Sequence, residues 1–209
     1  MLVIGPLCAL LPTVTQAIFK ARAGWYTFPH LRVTAGRFRP ILQESLTTWI
    51  YAMESEAYRE GIHDAYQGEL VGEKLYRDYG ESMSDPRQRE KLAAIADIER
   101  STHLRLEPIA ERLQVRPSNT DWHAIVQRRL GELEQLHWHD FLQKALREWP
   151  PYIGRFEALH RLAPPADAPC TRLLVEHELV LVEFIRLESA DPGSSSSLSV
   201  LRRFLAETP

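Results

Sequence analysis

The chain has 209 residues, 44% hydrophobic and 25% charged, which suits one globular domain with a buried core and is short for two. A net charge of −3 gives no electrostatic basis for binding nucleic acid or an anionic membrane, and ten glycines are too few for a many-turned β-sandwich. Cys8 and Cys170 form no CxxC pair, so neither a disulfide framework nor a structural zinc site is expected, and a reducing, cytoplasmic setting follows.

Residues 1–40 are expected to be a leader, disordered or outside the mature chain, with Met53 as a second candidate start. Their apolar run from Leu2 to Phe19 is interrupted by Pro6, Pro12, Thr13, Thr15 and Gln16. The basic residues follow that run rather than precede it. This is the wrong order for a signal peptide, and a membrane role arises only if this segment inserts. Residues 41–190 are expected to form the helical domain. Leu42, Leu46, Trp49, Ile50, Met53 and Ala57 make one apolar stripe of a first helix. Gly61 and Gly68 loosen the pattern, and a second helix is predicted from about Asp64 to Gly80, with Val71, Leu75, Tyr76 and Tyr79 on one side. Ser84-Asp85-Pro86 then reads as a stop and restart, with Ser84 or Asp85 as N-cap.

The third helix, Arg87 to Leu113, carries the clearest stripe: Leu92, Ile95, Ile98, Thr102, Leu106 and Ile109, with Pro108 as a candidate kink. A fourth is predicted to open at Ser118-Asn119-Thr120-Asp121 and to run to about Glu148. Trp149-Pro150-Pro151 bends or breaks it, and a continuation reaches Leu162. A last long helix spans about Pro169 to Ser189. Residues 191–209 read as a serine-rich linker followed by a short tail. The fold class is therefore all-α, an antiparallel up-and-down four-helix bundle with an extra N-terminal helix.

A carboxylate or imidazole on a buried stripe needs a partner or a metal, because burying a lone charge costs several kcal/mol. On a helical wheel Glu99 falls in mid-stripe, with His103 one turn along at its edge. His177 stands at the centre of the last stripe, and Glu178 stands at its margin. Glu157 and His160 share the segment after Pro151 in Glu-x-x-His spacing, and Glu69 and Glu73 flank the Tyr76 side. Taken singly, each fits a snorkelling carboxylate or a satisfied core histidine. Taken together, four helices offer the ligand types of iron and manganese sites.

These residues resemble the ferritin-like superfamily, especially rubrerythrin-like and demethoxyubiquinone-hydroxylase-like di-iron proteins. Gly68-Glu69-Leu70-Val71-Gly72-Glu73-Lys74-Leu75-Tyr76 is similar to the first ligand helix of that group. Ile98-Glu99-Arg100-Ser101-Thr102-His103, Arg155-Phe156-Glu157-Ala158-Leu159 and Val175-Glu176-His177-Glu178 are similar to the second, third and fourth. The pattern departs from the family's at two places: Thr102 stands where a histidine belongs, and Leu174 stands where a glutamate should precede His177. The resemblance implies two iron ions, or manganese, held by Glu69, Glu99, His103, Glu157 and His177, with His160 or Glu178 completing the set. It also implies oxidoreductase chemistry with oxygen or peroxide. No substrate or catalytic residue is readable. The alternative is a metal-free bundle that serves as a binding or structural module, with a homodimer face as its candidate partner surface.

Overall fold

In the computed structural model, backbone is described for residues 39–117 and 119–208, and side chains for 55–117 and 122–208. The expected leader therefore lies outside the described residues apart from Arg39 and Pro40. Every described element is a helix: α1 (Arg39–Ser82), α2 (Pro86–Leu113), α3 (Asn119–Leu133), α4 (Trp138–Glu148), α5 (Pro150–Leu162), α6 (Ala168–Ala190) and α7 (Ser195–Glu207). None of them is long and apolar enough to cross a membrane. The chain divides into two compact units, Met1–Leu46 and Thr47–Pro209. Only the opening turns of α1 are described in the first, and all that follows concerns the second.

The expected break at Gly61 and Gly68 does not occur, because α1 runs through both. A β-carbon on Gly61 would lie 2.6 Å from Leu159 Cδ1, so this glycine marks the close approach of α5 rather than a turn. Asp85 caps α2, its carboxylate accepting a 2.8 Å hydrogen bond from the Arg87 amide, and Pro86 occupies the first turn. At its far end α2 closes on Gln114, whose φ of 56° is left-handed.

The single helix expected over 118–148 is interrupted at residues 134–137, where α3 stops and α4 restarts behind His137. The restart aims Trp138 and Phe141 at the core, their rings 5.2 Å apart. Pro150 and Pro151 open α5 directly after Trp149, since a missing amide costs nothing in a first turn. In residues 191–209 the Leu198–Leu205 tail is helical, as expected of a folded-back helical turn, and the difference lies in the serine run before it. The serine run is the start of α7, with Ser194 Oγ accepting the Ser196 amide at 3.3 Å. Serine favours a helix N-terminus as readily as a linker.

α6 is the central element and touches α2, α4, α5 and α7. Buried apolar side chains form two clusters. One gathers Leu75, Tyr79, Ile95, Phe141, Phe184 and Leu201, and the other Tyr58, Ile62, Leu106, Phe156, Leu159 and Leu174. Burying each large side chain stabilises the fold by about 1.5–3 kcal/mol. Two polar hubs tie the ends together. Asp167 accepts Tyr58 Oη at 2.8 Å and Arg112 at 2.6 Å on both oxygens. Glu188, 1% exposed, accepts Lys91 Nζ, Ser197 Oγ at 2.6 Å, Trp138 Nε1 at 3.1 Å and the Gly193 amide at 3.2 Å. Burial works to raise the Glu188 carboxyl, but the bonds from Lys91, Ser197 and Gly193 hold it below its ordinary value.

Candidate metal centre

On three helices the apolar stripe gives way to polar residues at the junction of the two clusters. On α1, Glu69 lies between Tyr66 and Leu75. On α2, Glu99 lies between Ile98 and Leu106. On α6, His177 and Glu178 lie between Leu174 and Leu181. All four side chains are buried, Glu69 at 2% exposure and His177 at 0%.

One potential ligand atom from each of Glu69, Glu99 and His177 lies within 4.8 Å of the others. His177 Nε2 is 3.6 Å from Glu69 Oε2 and 3.7 Å from Glu178 Oε1. Gly72 makes the arrangement feasible. A β-carbon there would fall 2.6 Å from Glu99 Cδ and 2.8 and 2.9 Å from its two oxygens, so the Glu99 carboxyl lies flat against the α1 backbone. Beside the site, Thr102 turns its hydroxyl back to the Ile98 carbonyl at 3.0 Å, as a helical threonine readily does.

The electrostatics follow from burial. Glu69 is held well above the ordinary carboxylate range, first by burial and then by the Glu99 charge. Glu99 is pushed up to about 7 by burial, against a hydrogen bond with Glu69 that lowers it. Two carboxyls in such contact share a proton. Burial, then Glu99, raises Glu178 to about 9. Burial lowers His177 to about 4, so its ring is neutral and a lone pair is free to bind a cation. Glu69 Oε2 and His177 Nε2 are buried without a hydrogen-bond partner, while the Leu173 and Leu174 backbone lies close enough to act on the His177 ring. A neutral imidazole has one N–H donor and one acceptor nitrogen, and a buried acceptor left without a partner is costly unless something binds it.

The remaining candidates stand elsewhere. His103 is buried, with Nδ1 3.0 Å from Glu73 Oε2 and its ring edge-on to Tyr66; Arg100 reaches the other Glu73 oxygen at 3.1 Å. Burial, the largest influence, lowers the His103 imidazole. His160 is half-buried with Nδ1 2.9 Å from Thr171 Oγ1, and Glu157 is exposed. The structure thus brings together Glu69, Glu99, His177 and Glu178, but not His103, Glu157 or His160.

Glu69, Glu99 and Glu178 also reach a cavity of about 560 Å³ bounded by α1 to α6. Sequence reasoning did not find this space. Its one legible trace is the row Gly61, Ala65, Gly68 and Gly72, which lies along the α1 wall at helical spacing. No protein-family model matches the chain, and comparison with curated proteins and with solved structures yields no match.

Proposed function

We propose that this is a ferritin-like metalloprotein, a four-helix bundle whose centre binds iron or manganese and acts as an oxidoreductase with oxygen or peroxide. The observation that carries the proposal is the convergence of Glu69, Glu99 and His177 within 4.8 Å, with Glu69 Oε2 and His177 Nε2 buried and unpartnered. The donor set fits. Two carboxylates and an imidazole suit Fe(II) or Mn(II), and their crowding is costly to the fold until a cation arrives. Glu178 Oε1 stands 3.7 Å from His177 Nε2, at the edge of this group.

Three grouped donors support one ion. Among the described residues no second such group stands beside it for the second ion that the family resemblance implies, His103, His160 and Glu157 lying outside this one. When bound, such an ion supplies Lewis acidity and redox chemistry toward oxygen or peroxide. The chain's own contribution is threefold. Gly72 lets Glu99 press against α1; neutral His177 presents a lone pair; the flanking apolar clusters bury the group on every side but the cavity. Glu178 and the Glu69–Glu99 pair hold protons near neutral pH, and these leave as a cation enters.

A metal-free module is favoured by one feature: the Glu69 and Glu99 carboxyls can satisfy each other through a shared proton. Elemental analysis of untagged protein purified without chelator distinguishes the two. About one iron or manganese per chain, lost in both Glu99→Ala and His177→Ala, supports the metal centre. No metal, with no thermal stabilisation by added Fe(II) or Mn(II), establishes the metal-free module.

A further inference from the structure

The cavity beside the carboxyl cluster has its own chemistry. At about 560 Å³ it falls within the range typical of pockets for small organic ligands. Its sides are rich in rings, with Tyr76, Phe141, Trp149, Tyr152 and Phe156 among its lining. Tyr76 and Trp149 stand edge-to-face at 5.8 Å, and Phe141 and Trp149 at 6.1 Å, so the rings brace one another. On the α1 wall of the cavity, a β-carbon at Gly68 would meet nothing within 4 Å, so that stretch of the wall stands open.

Charged residues line the same space, four of them matched in two pairs, and Glu132 lines it one turn along α3 from Arg128 and Arg129. Lys144 is paired with Glu148 at 2.6 Å and Arg155 with Asp64 at 3.9 Å. Arg128 and Arg129, both on α3 and both exposed, make no ion pair among the described residues. Arg129 is near enough to Tyr76 for its charge to act on the phenol. Both line the cavity, and a guanidinium group is a ready donor to a carboxylate. The other polar face, made by Glu69, Glu99 and Glu178, would repel an anion.

We propose that this cavity binds a small aromatic carboxylate, its ring among Tyr76, Trp149 and Tyr152 and its carboxylate on Arg128 and Arg129. The end remote from the carboxylate then faces Glu69, Glu99 and Glu178. Only the identification of this ligand as a substrate rests on the metal-centre proposal; the binding itself does not.

The test uses the full chain, stripped with chelator, and 2-naphthoate as probe, followed by calorimetry and by quenching of tryptophan fluorescence. Saturable binding is expected, weakened about tenfold or more in the Arg128→Ala/Arg129→Ala double variant. The uncharged analogue 2-naphthalenemethanol should bind wild type more weakly than naphthoate does and be indifferent to the double substitution. Because α3 presents both arginines to solvent, circular dichroism melting should show the variant folded as wild type is. Absence of naphthoate binding to wild type, or equal affinity in the double variant, overturns the proposal. Arginine-dependent binding by a chain that takes up no metal upholds the cavity and removes only the metal reading.

Discussion

Replacing Glu99 by Gln should stabilise the metal-free protein at pH 8 and hardly change it at pH 5. In the folded chain, burial holds the Glu99 carboxyl at about 7 instead of 4.5. A raised carboxyl costs nothing while both folded and unfolded chains are protonated, below pH 4.5. The cost grows as pH rises from 4.5 to 7 and is constant above that. At about 1.4 kcal/mol per pH unit across that interval, it comes to about 3 kcal/mol at pH 8. Glutamine keeps the shape and can still hydrogen-bond Glu69, but it carries no charge to desolvate. For a domain of this size the variant should melt roughly 6–12 °C higher than wild type at pH 8, and within about 2 °C of it at pH 5. Thermal melts followed by circular dichroism with excess chelator measure both. Saturating Mn(II) should reverse the order at pH 8, because only wild type keeps both carboxylate ligands. An equal difference at the two pH values, or a less stable variant at pH 8, would refute the reasoning.

Three other outcomes follow from the packing and the polar hubs. Burial holds His177 at about 4, so the unfolded chain takes up that proton first and the imidazole opposes the gain from the buried carboxyls as pH falls from 6.5 to 4; metal-free His177→Gln should therefore gain stability relative to wild type across this range, measured by urea midpoints. Gly72→Ala would drive a methyl group into the Glu99 carboxyl, so Mn(II) affinity in a chelator competition should fall by about tenfold or more, while far-ultraviolet circular dichroism stays unchanged. Lys91→Met strands the Glu188 carboxylate in the core and should cost about 3–5 kcal/mol in urea unfolding, with part of it recovered in the Lys91→Met/Glu188→Gln double variant, which removes the charge and keeps an acceptor oxygen.

The stripes of α2 and α6 were legible because burial on one face imposes a 3.6-residue period, and Glu99 and His177 stood out as breaks in it. The same wheel misplaced Glu157. On α5 the side chains that turn inward are Phe156 and Leu159, and one position further round leaves Glu157 in solvent. Helix rotation of this kind is decided by neighbours, not by the segment itself. The glycines of α1 misled for a related reason. Locally a glycine signals a break, whereas here Gly61 and Gly72 are small because Leu159 and Glu99 press against them. Both polar hubs were invisible for lack of distance information: Lys91 meets a carboxylate 97 positions away, and Tyr58 one 109 positions away.

The Glu188 hub bears on where the candidate ligands sit. Its four donors come from α2, the start of α4, the turn after α6 and α7, and they can meet one carboxylate only at a single axial setting of those helices. Sliding α6 by one turn, about 5.4 Å, would pull Glu188 out of reach of all but its nearest donors and leave Lys91 charged in the core. His177 lies on the same rod, eleven positions earlier and so about 16 Å along it. A stop at one end of the rod thereby sets the height of the imidazole at the other. Coordination tolerates misplacement of only about 0.5 Å. The hub is thus a vernier for a centre it never touches.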